Sequence, residues 1–344
     1  MALGLHGTPT TIALAQRRDR RRRACAPAAV GIRGDFQCVL RHRQGGRSRA
    51  GADNAYSPNR EHADWLAEDF GLDVTYYDPM IGAGIADLIR SNTKLIWLEA
   101  PGSVTMEVQD VPVIAAVARA RGIVSAIDNT YSAGLAFKPF EHGVDISVQA
   151  LTKCQSGGSE VLMGATITRD AGLHRKLKRA RMRLSISVSA DDASLVLRSL
   201  PSMKTRYEAH DRSAFAPATW LKGVRKCRRC CIRRWRTVLA TPSMSVISTA
   251  ARAVYFRSSS TSVTPPCRSM RSSRRLELFS IGWSWGGSHS LAMPYNVRSM
   301  RTASQWPHEG VLVRLVRLVR FDIGLEAEAD LRADLEAALA KAFA

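Results

Sequence analysis

Lys153 closes an apolar run in Asp145-Ile-Ser-Val-Gln-Ala-Leu-Thr-Lys-Cys-Gln-Ser-Gly-Gly-Ser-Glu160. A lysine that condenses with a cofactor aldehyde needs a rigid strand end to aim its amine. It also needs a neighbouring hydroxyl for a phosphate oxygen and small residues that let the cofactor approach. Thr152, Gly157 and Gly158 supply these around Lys153. Taken alone, the same segment reads as a surface lysine in a turn. Asp128 stands after another apolar run, residues 123–127 (IVSAI), and is followed by Asn129, Thr130 and Tyr131. A carboxylate there can keep a pyridine nitrogen protonated, which makes the ring an electron sink. Its other reading is a strand-end or helix-cap residue.

Elements able to position both residues are legible as short apolar runs alternating with amphipathic helical patterns. Residues 94–98 (KLIWL) read as a buried strand. Residues 111–120 (VPVIAAVARA) have apolar positions at helical spacing, and residues 123–127 read as the next strand. That order is a βαβ unit and implies a parallel sheet. Residues 145–149 and 161–167 supply further strands, residues 170–183 a helix with a solvated basic face, and residues 326–343 a closing helix. The division expected is a large domain over 52–212 and a smaller one over 213–344. Residues 1–51 and 224–275 read as aberrant basic segments.

The +20 net charge of the 344 residues is concentrated in those two segments. Residues 1–51 hold eleven Arg against two Asp, and residues 224–275 hold twelve Arg and one Lys with no acid. Six of the seven cysteines lie there too, Cys154 being the exception. A basic arm that binds nucleic acid would account for the charge, but no aromatic interleaving or reading module accompanies it. Cys227-Arg-Arg-Cys230 has zinc-ligand spacing without a second pair, so no metal is expected. Arg, Ser, Cys and Pro also accumulate where a G+C-rich gene is read in the wrong frame. Residues 256–265 (FRSSSTSVTP) can be back-translated so that a two-base shift reads Ser-Phe-Val-Phe-Asp-Glu-Arg-Tyr-Thr, a half-exposed strand and turn. No run of eighteen apolar residues occurs and no secretory leader is read, so no membrane partner is expected.

Four motifs fall in order: Glu99-Ala-Pro-Gly-Ser-Val-Thr-Met-Glu-Val-Gln-Asp-Val-Pro112, Asp128-Asn-Thr-Tyr-Ser-Ala-Gly134, the Lys153 segment and Ser280-Ile-Gly-Trp-Ser-Trp-Gly-Gly287. Together they resemble the Cys/Met-metabolism group of pyridoxal-phosphate enzymes, across residues 52–223 and 276–344. The last is most similar to the cystathionine β-lyase branch. The resemblance implies an α/β fold of the aspartate-aminotransferase type I class, with a mostly parallel sheet in a large domain and a smaller C-terminal α/β domain. It implies pyridoxal 5'-phosphate as cofactor and α,β-elimination of L-cystathionine as the reaction. A cystathionine γ-synthase or methionine γ-lyase activity is the alternative within the group. A homodimer or homotetramer acting in the cytoplasm on a small amino acid is implied as well.

By the same resemblance Lys153 holds the cofactor, Tyr56 in Asp53-Asn-Ala-Tyr-Ser-Pro58 stacks on the pyridine ring, and Asp128 meets its nitrogen. Thr152 contacts the phosphate, Ser284 and Trp285 line the substrate side, and Arg320 grips the substrate α-carboxylate, a task that suits a bidentate guanidinium fork. Three departures stand out. Residues 312–320 repeat Leu-Val-Arg three times, so Arg314 and Arg317 compete with Arg320. Cys154 replaces a common aromatic. Leu3 and Leu5 fall where the group has a phosphate-binding tyrosine and arginine, and nothing in residues 24–51 resembles its glycine-rich phosphate turn.

Overall fold

The computed structural model describes residues 24–28, 46–223, 251–256, 276–296, 300–303 and 317–343. Its larger sheet has seven strands in the order β1-β7-β6-β5-β4-β2-β3. These are β1 (Ala24–Ala28), β2 (Ser48–Ala52), β3 (Asp73–Tyr77), β4 (Thr93–Glu99), β5 (Val124–Asp128), β6 (Ile146–Ala150) and β7 (Gly164–Thr168). Strands β2 to β6 run parallel, while β7 is antiparallel to both β6 and β1. The centre is buried on both faces, and Leu95, Ile96, Trp97 and Leu98 of β4 are all fully enclosed.

Helix α1 (Ser57–Phe70) joins β2 to β3, and α2 (Val111–Ala120) joins β4 to β5. The apolar spacing of α2 buries Val111, Ile114, Ala115 and Ala118, and Asp110 caps its start by accepting the Val113 N–H at 3.2 Å. Helix α3 (Ala171–Arg183) buries only Leu173 and Leu177, so its basic residues form a solvated face as expected. Helix α4 (Ala190–Ser199) follows, then α5 (Met203–Gly223).

A second sheet has the order β8-β11-β10-β9, from β8 (Ala251–Phe256), β9 (Ser280–Ile281), β10 (Leu291–Asn296) and β11 (Arg317–Asp322). Helix α6 (Glu328–Phe343) packs on it through Leu331, Leu335 and Leu339, against Phe279, Val319 and Phe321.

Residues 48–51, at the end of the basic N-terminal segment, form β2 with Ala52, buried between β3 and β4. Arg49 fits there because its guanidinium bonds Asn59 Oδ1 and lies 5.3 Å from the Trp97 ring. The division at 212/213 falls inside α5. That helix lends Met203 and Tyr207 to a cluster with Trp285, and Ala214 and Leu221 to the core of the second sheet, so one continuous rod serves both domains. Leu3, Leu5, Arg314, Cys227, Cys230 and residues 257–265 lie outside the described residues.

Candidate active site

The winding of the large sheet reverses at β2. Its first crossover leads to β3 on one side, and the next passes back to β4 on the other. In open α/β sheets such a switch point opens a crevice beyond the carboxyl ends of the strands, where ligands bind. Tyr56 follows β2, Glu99 ends β4, Asp128 ends β5 and Lys153 follows β6. Four side chains separated by up to 97 residues are thereby delivered to one rim.

Lys153 lies in the turn after β6, half-buried, and its Nζ donates to Ser284 Oγ at 2.6 Å while standing 5.3 Å from the centre of the Trp285 ring. Behind the turn, Gly286 adopts a left-handed φ of 78°, and a Cβ there would press on the Lys153 side chain and the Cys154 backbone. Arg206 of α5 secures the far side by donating to the Cys154 carbonyl at 2.9 Å. Burial, with the Arg320 charge acting the same way, lowers the Lys153 amine from 10.5 to about 8.

Asp128 is half-buried on the crevice floor and accepts from the Thr130 N–H at 2.9 Å and the Thr130 hydroxyl at 2.5 Å. Thr130 Oγ1 in turn accepts the Ala150 N–H at 2.9 Å, which ties the Asp128 turn to the strand that leads to Lys153. Burial raises Asp128, while the Thr130 bonds and the Lys153 charge oppose it. Glu99 is its register partner across β4 and β5. Burial, then repulsion from Asp128, pushes Glu99 up to about 8, against the hydrogen bonds from Ser103 and Tyr56.

The second domain closes the other side. Arg320 of β11 donates to the carbonyls of Trp283 at 2.6 Å and Ser284 at 3.0 Å, and its guanidinium carbon lies 5.3 Å from the Tyr295 ring. Asp322 is buried two residues further along the same face and accepts the Gly286 N–H at 3.1 Å. Burial lifts it to about 7 despite the Arg320 charge. Trp285 stacks on Tyr131, with ring centres 4.0 Å apart and planes 3° from parallel.

Lys153, Ser284, Trp285 and Arg320 thus meet directly, Asp128 acts on Lys153 through its charge, and Tyr56 joins through Glu99 Oε2, which accepts its N–H at 2.7 Å. Thr152 is adjacent in sequence, but its hydroxyl accepts the Met163 N–H at 3.1 Å and donates to the Met163 carbonyl at 3.3 Å. Arg317 lies in β11 opposite Phe256 and Asn296. The sequence reading gave no role to Glu99, Tyr131 or Asp322. Glu99 carried a usable signal, since it ends the apolar run LIWLE just as Asp128 follows IVSAI. Among the described residues no group of His, Cys, Asp and Glu could hold a metal ion, and no helix is long and apolar enough to cross a membrane.

The family model described as Cys/Met metabolism PLP-dependent enzyme matches residues 7–340, which is wider than the two stretches carrying the motifs and runs through both basic segments. A Rhizobium johnstonii protein named "Putative cystathionine beta-lyase" is 37% identical, covering 99% of this chain and 85% of its own length. The cystathionine beta-lyase of Bordetella avium is 34% identical over 92% of this chain and 78% of its own. The crystal structure of cystathionine gamma-lyase from Lactobacillus plantarum complexed with L-serine superposes with a TM-score of 0.84 over 98% of this chain and 87% of that one. At 22% identity it shows the shared fold.

Proposed function

The chain belongs to the Cys/Met metabolism family of pyridoxal-phosphate-dependent enzymes, and from that premise we propose that it is a carbon–sulfur lyase. Its reaction is the conversion of L-cystathionine and water to homocysteine, pyruvate and ammonia. The observation that carries this reading is the Lys153 amine, held at 2.6 Å by the Ser284 hydroxyl in the turn after β6, at the same rim of the sheet as Asp128 at the end of β5.

The residues fit the cofactor at its aldehyde, its pyridine nitrogen and its ring face. Lys153 is a nucleophilic amine for the aldehyde, and Asp128, already bonded by Thr130, is a carboxylate for the pyridine nitrogen. Tyr56, 42% exposed beside the crevice, offers an aromatic face for the ring. On the phosphate side Thr152 can reach an oxygen by releasing the Met163 carbonyl. Bound pyridoxal phosphate supplies the electron sink for a carbanion at Cα. Arg320 holds the substrate α-carboxylate through its guanidinium fork, and Ser284 and Trp285 line that side. With its amine free, Lys153 would take the Cα proton and return one to the departing sulfur. The acting species is a cytoplasmic homodimer or homotetramer.

Incubating the purified protein with L-cystathionine and pyridoxal phosphate tests the reading. Pyruvate and homocysteine in equal amounts are expected. Cysteine with 2-oxobutyrate would assign bond breaking to Cγ instead, as in the sister enzymes of the group.

A further inference from the structure

We propose that Glu99 is a positioning residue that fixes Tyr56 relative to the end of the Asp128 strand, a role that rests on reading Tyr56, Asp128 and Lys153 as the pyridoxal phosphate pocket. Glu99 is the last residue of β4, in register with Asp128 on β5. Its two carboxyl oxygens reach different segments. Oε2 accepts the Tyr56 N–H at 2.7 Å, and Oε1 accepts the Ser103 hydroxyl at 2.5 Å.

Tyr56 immediately precedes α1, and its carbonyl already accepts the N–H groups of Asn59 at 2.9 Å and Arg60 at 3.2 Å. With its own N–H taken by Glu99, both polar groups of the Tyr56 backbone are fixed, and the direction of Cα–Cβ is fixed with them. The segments on either side of Glu99 interlock as well, because a Cβ at Gly102 would collide with the Asn54 side chain. Glu99 therefore joins the aromatic on one side of the pocket to the strand that ends in Asp128.

A double-mutant cycle tests the role, with the dissociation constant of pyridoxal phosphate from the apoprotein as readout and its yellow absorption band as the signal. Glu99→Ala and Tyr56→Ala should each raise the constant about tenfold, and the double variant no further than Tyr56→Ala alone. Glu99→Gln should restore most of the affinity, because its amide keeps an acceptor for the Tyr56 N–H and offers a donor to Ser103. Multiplying effects in the double variant, or no rescue by glutamine, overturn the proposal while leaving the pocket intact. An unchanged constant for Tyr56→Ala overturns the placement of Tyr56, and the proposal with it. Should Glu99→Ala fail to fold, Ser103→Ala replaces it in the cycle. It frees one oxygen of Glu99 and should weaken binding several-fold, again with no addition to Tyr56→Ala.

Discussion

The Lys153 amine, lowered from 10.5 to about 8, is neutral in a useful fraction at mildly alkaline pH. Uptake of pyridoxal phosphate should accelerate as pH rises and level off above about 8, followed as growth of the yellow band. A rise that continues towards 10.5 would show that the amine is unperturbed. The same shift has a stability consequence. The unfolded chain keeps this proton up to 10.5 whereas the folded one releases it near 8. This group therefore adds stability as pH rises through that window and loses it as pH falls back. Lys153→Ala should abolish the borohydride-stable link to the cofactor, and peptide mapping of the label checks it. Arg320→Lys keeps the charge but loses the fork. It should raise KM for cystathionine about tenfold with a smaller change in kcat, while Arg317→Lys changes neither. A KM change on Arg317→Lys alone would move the carboxylate grip to that residue.

Between β10 and β11, residues 300–303 reach back onto the loops of the large domain that flank the crevice. Asp53 accepts from the Thr302 N–H at 3.1 Å, the Thr302 hydroxyl at 2.9 Å and the Ala303 N–H at 3.0 Å, and pairs with Arg60 at 3.0 Å. Arg60 donates to the Met300 carbonyl at 2.5 Å, and Arg301 forms a buried ion pair with Glu107. Removing one side of an enclosed ion pair strands the other, which costs about 3–5 kcal/mol. Asp53→Ala should therefore destabilise the protein by about 3 kcal/mol, read from the urea midpoint. Thr302→Val, which loses one hydroxyl bond, should cost about 1 kcal/mol. Equal small effects from both would mean that this clasp contributes little. None of it was legible in the sequence, because its halves lie about 250 residues apart and neither forms a periodic pattern.

Residues 1–51 and 224–275 carry a net 22 positive charges, and the rest of the chain a net two negative. We propose a frame-shifted origin for most of the length of these segments, although β1, β2 and β8 place residues 24–28, 48–51 and 251–256 in the sheets. Sequencing the gene and weighing the natural protein decide the matter. A native mass different from 37.8 kDa, with a near-neutral chain that binds cofactor more tightly once the frame is restored, is the expected result. A native mass of 37.8 kDa together with turnover of cystathionine would show the segments to be genuine.

Local patterns by themselves determined the parallel sheet, the helix α2 and the solvated face of α3, and they marked Lys153 and Asp128 as candidates that the motif order then singled out. Each of these depends on neighbours within a few turns of chain, where apolar period and strand-end position are written directly. The family motifs added Tyr56, Ser284, Trp285 and Arg320 by order alone. Only the tertiary structure decided that Arg320 meets the Trp283 and Ser284 carbonyls, that the Thr152 hydroxyl is tied to Met163, and that Glu99 joins Tyr56 to the Asp128 strand. The Glu99 link depends on sheet order and on the direction of winding at β2, and the Arg320 contacts depend on how the second sheet is assembled. Sheet order is set by how whole elements pack, and no stretch of local sequence encodes it.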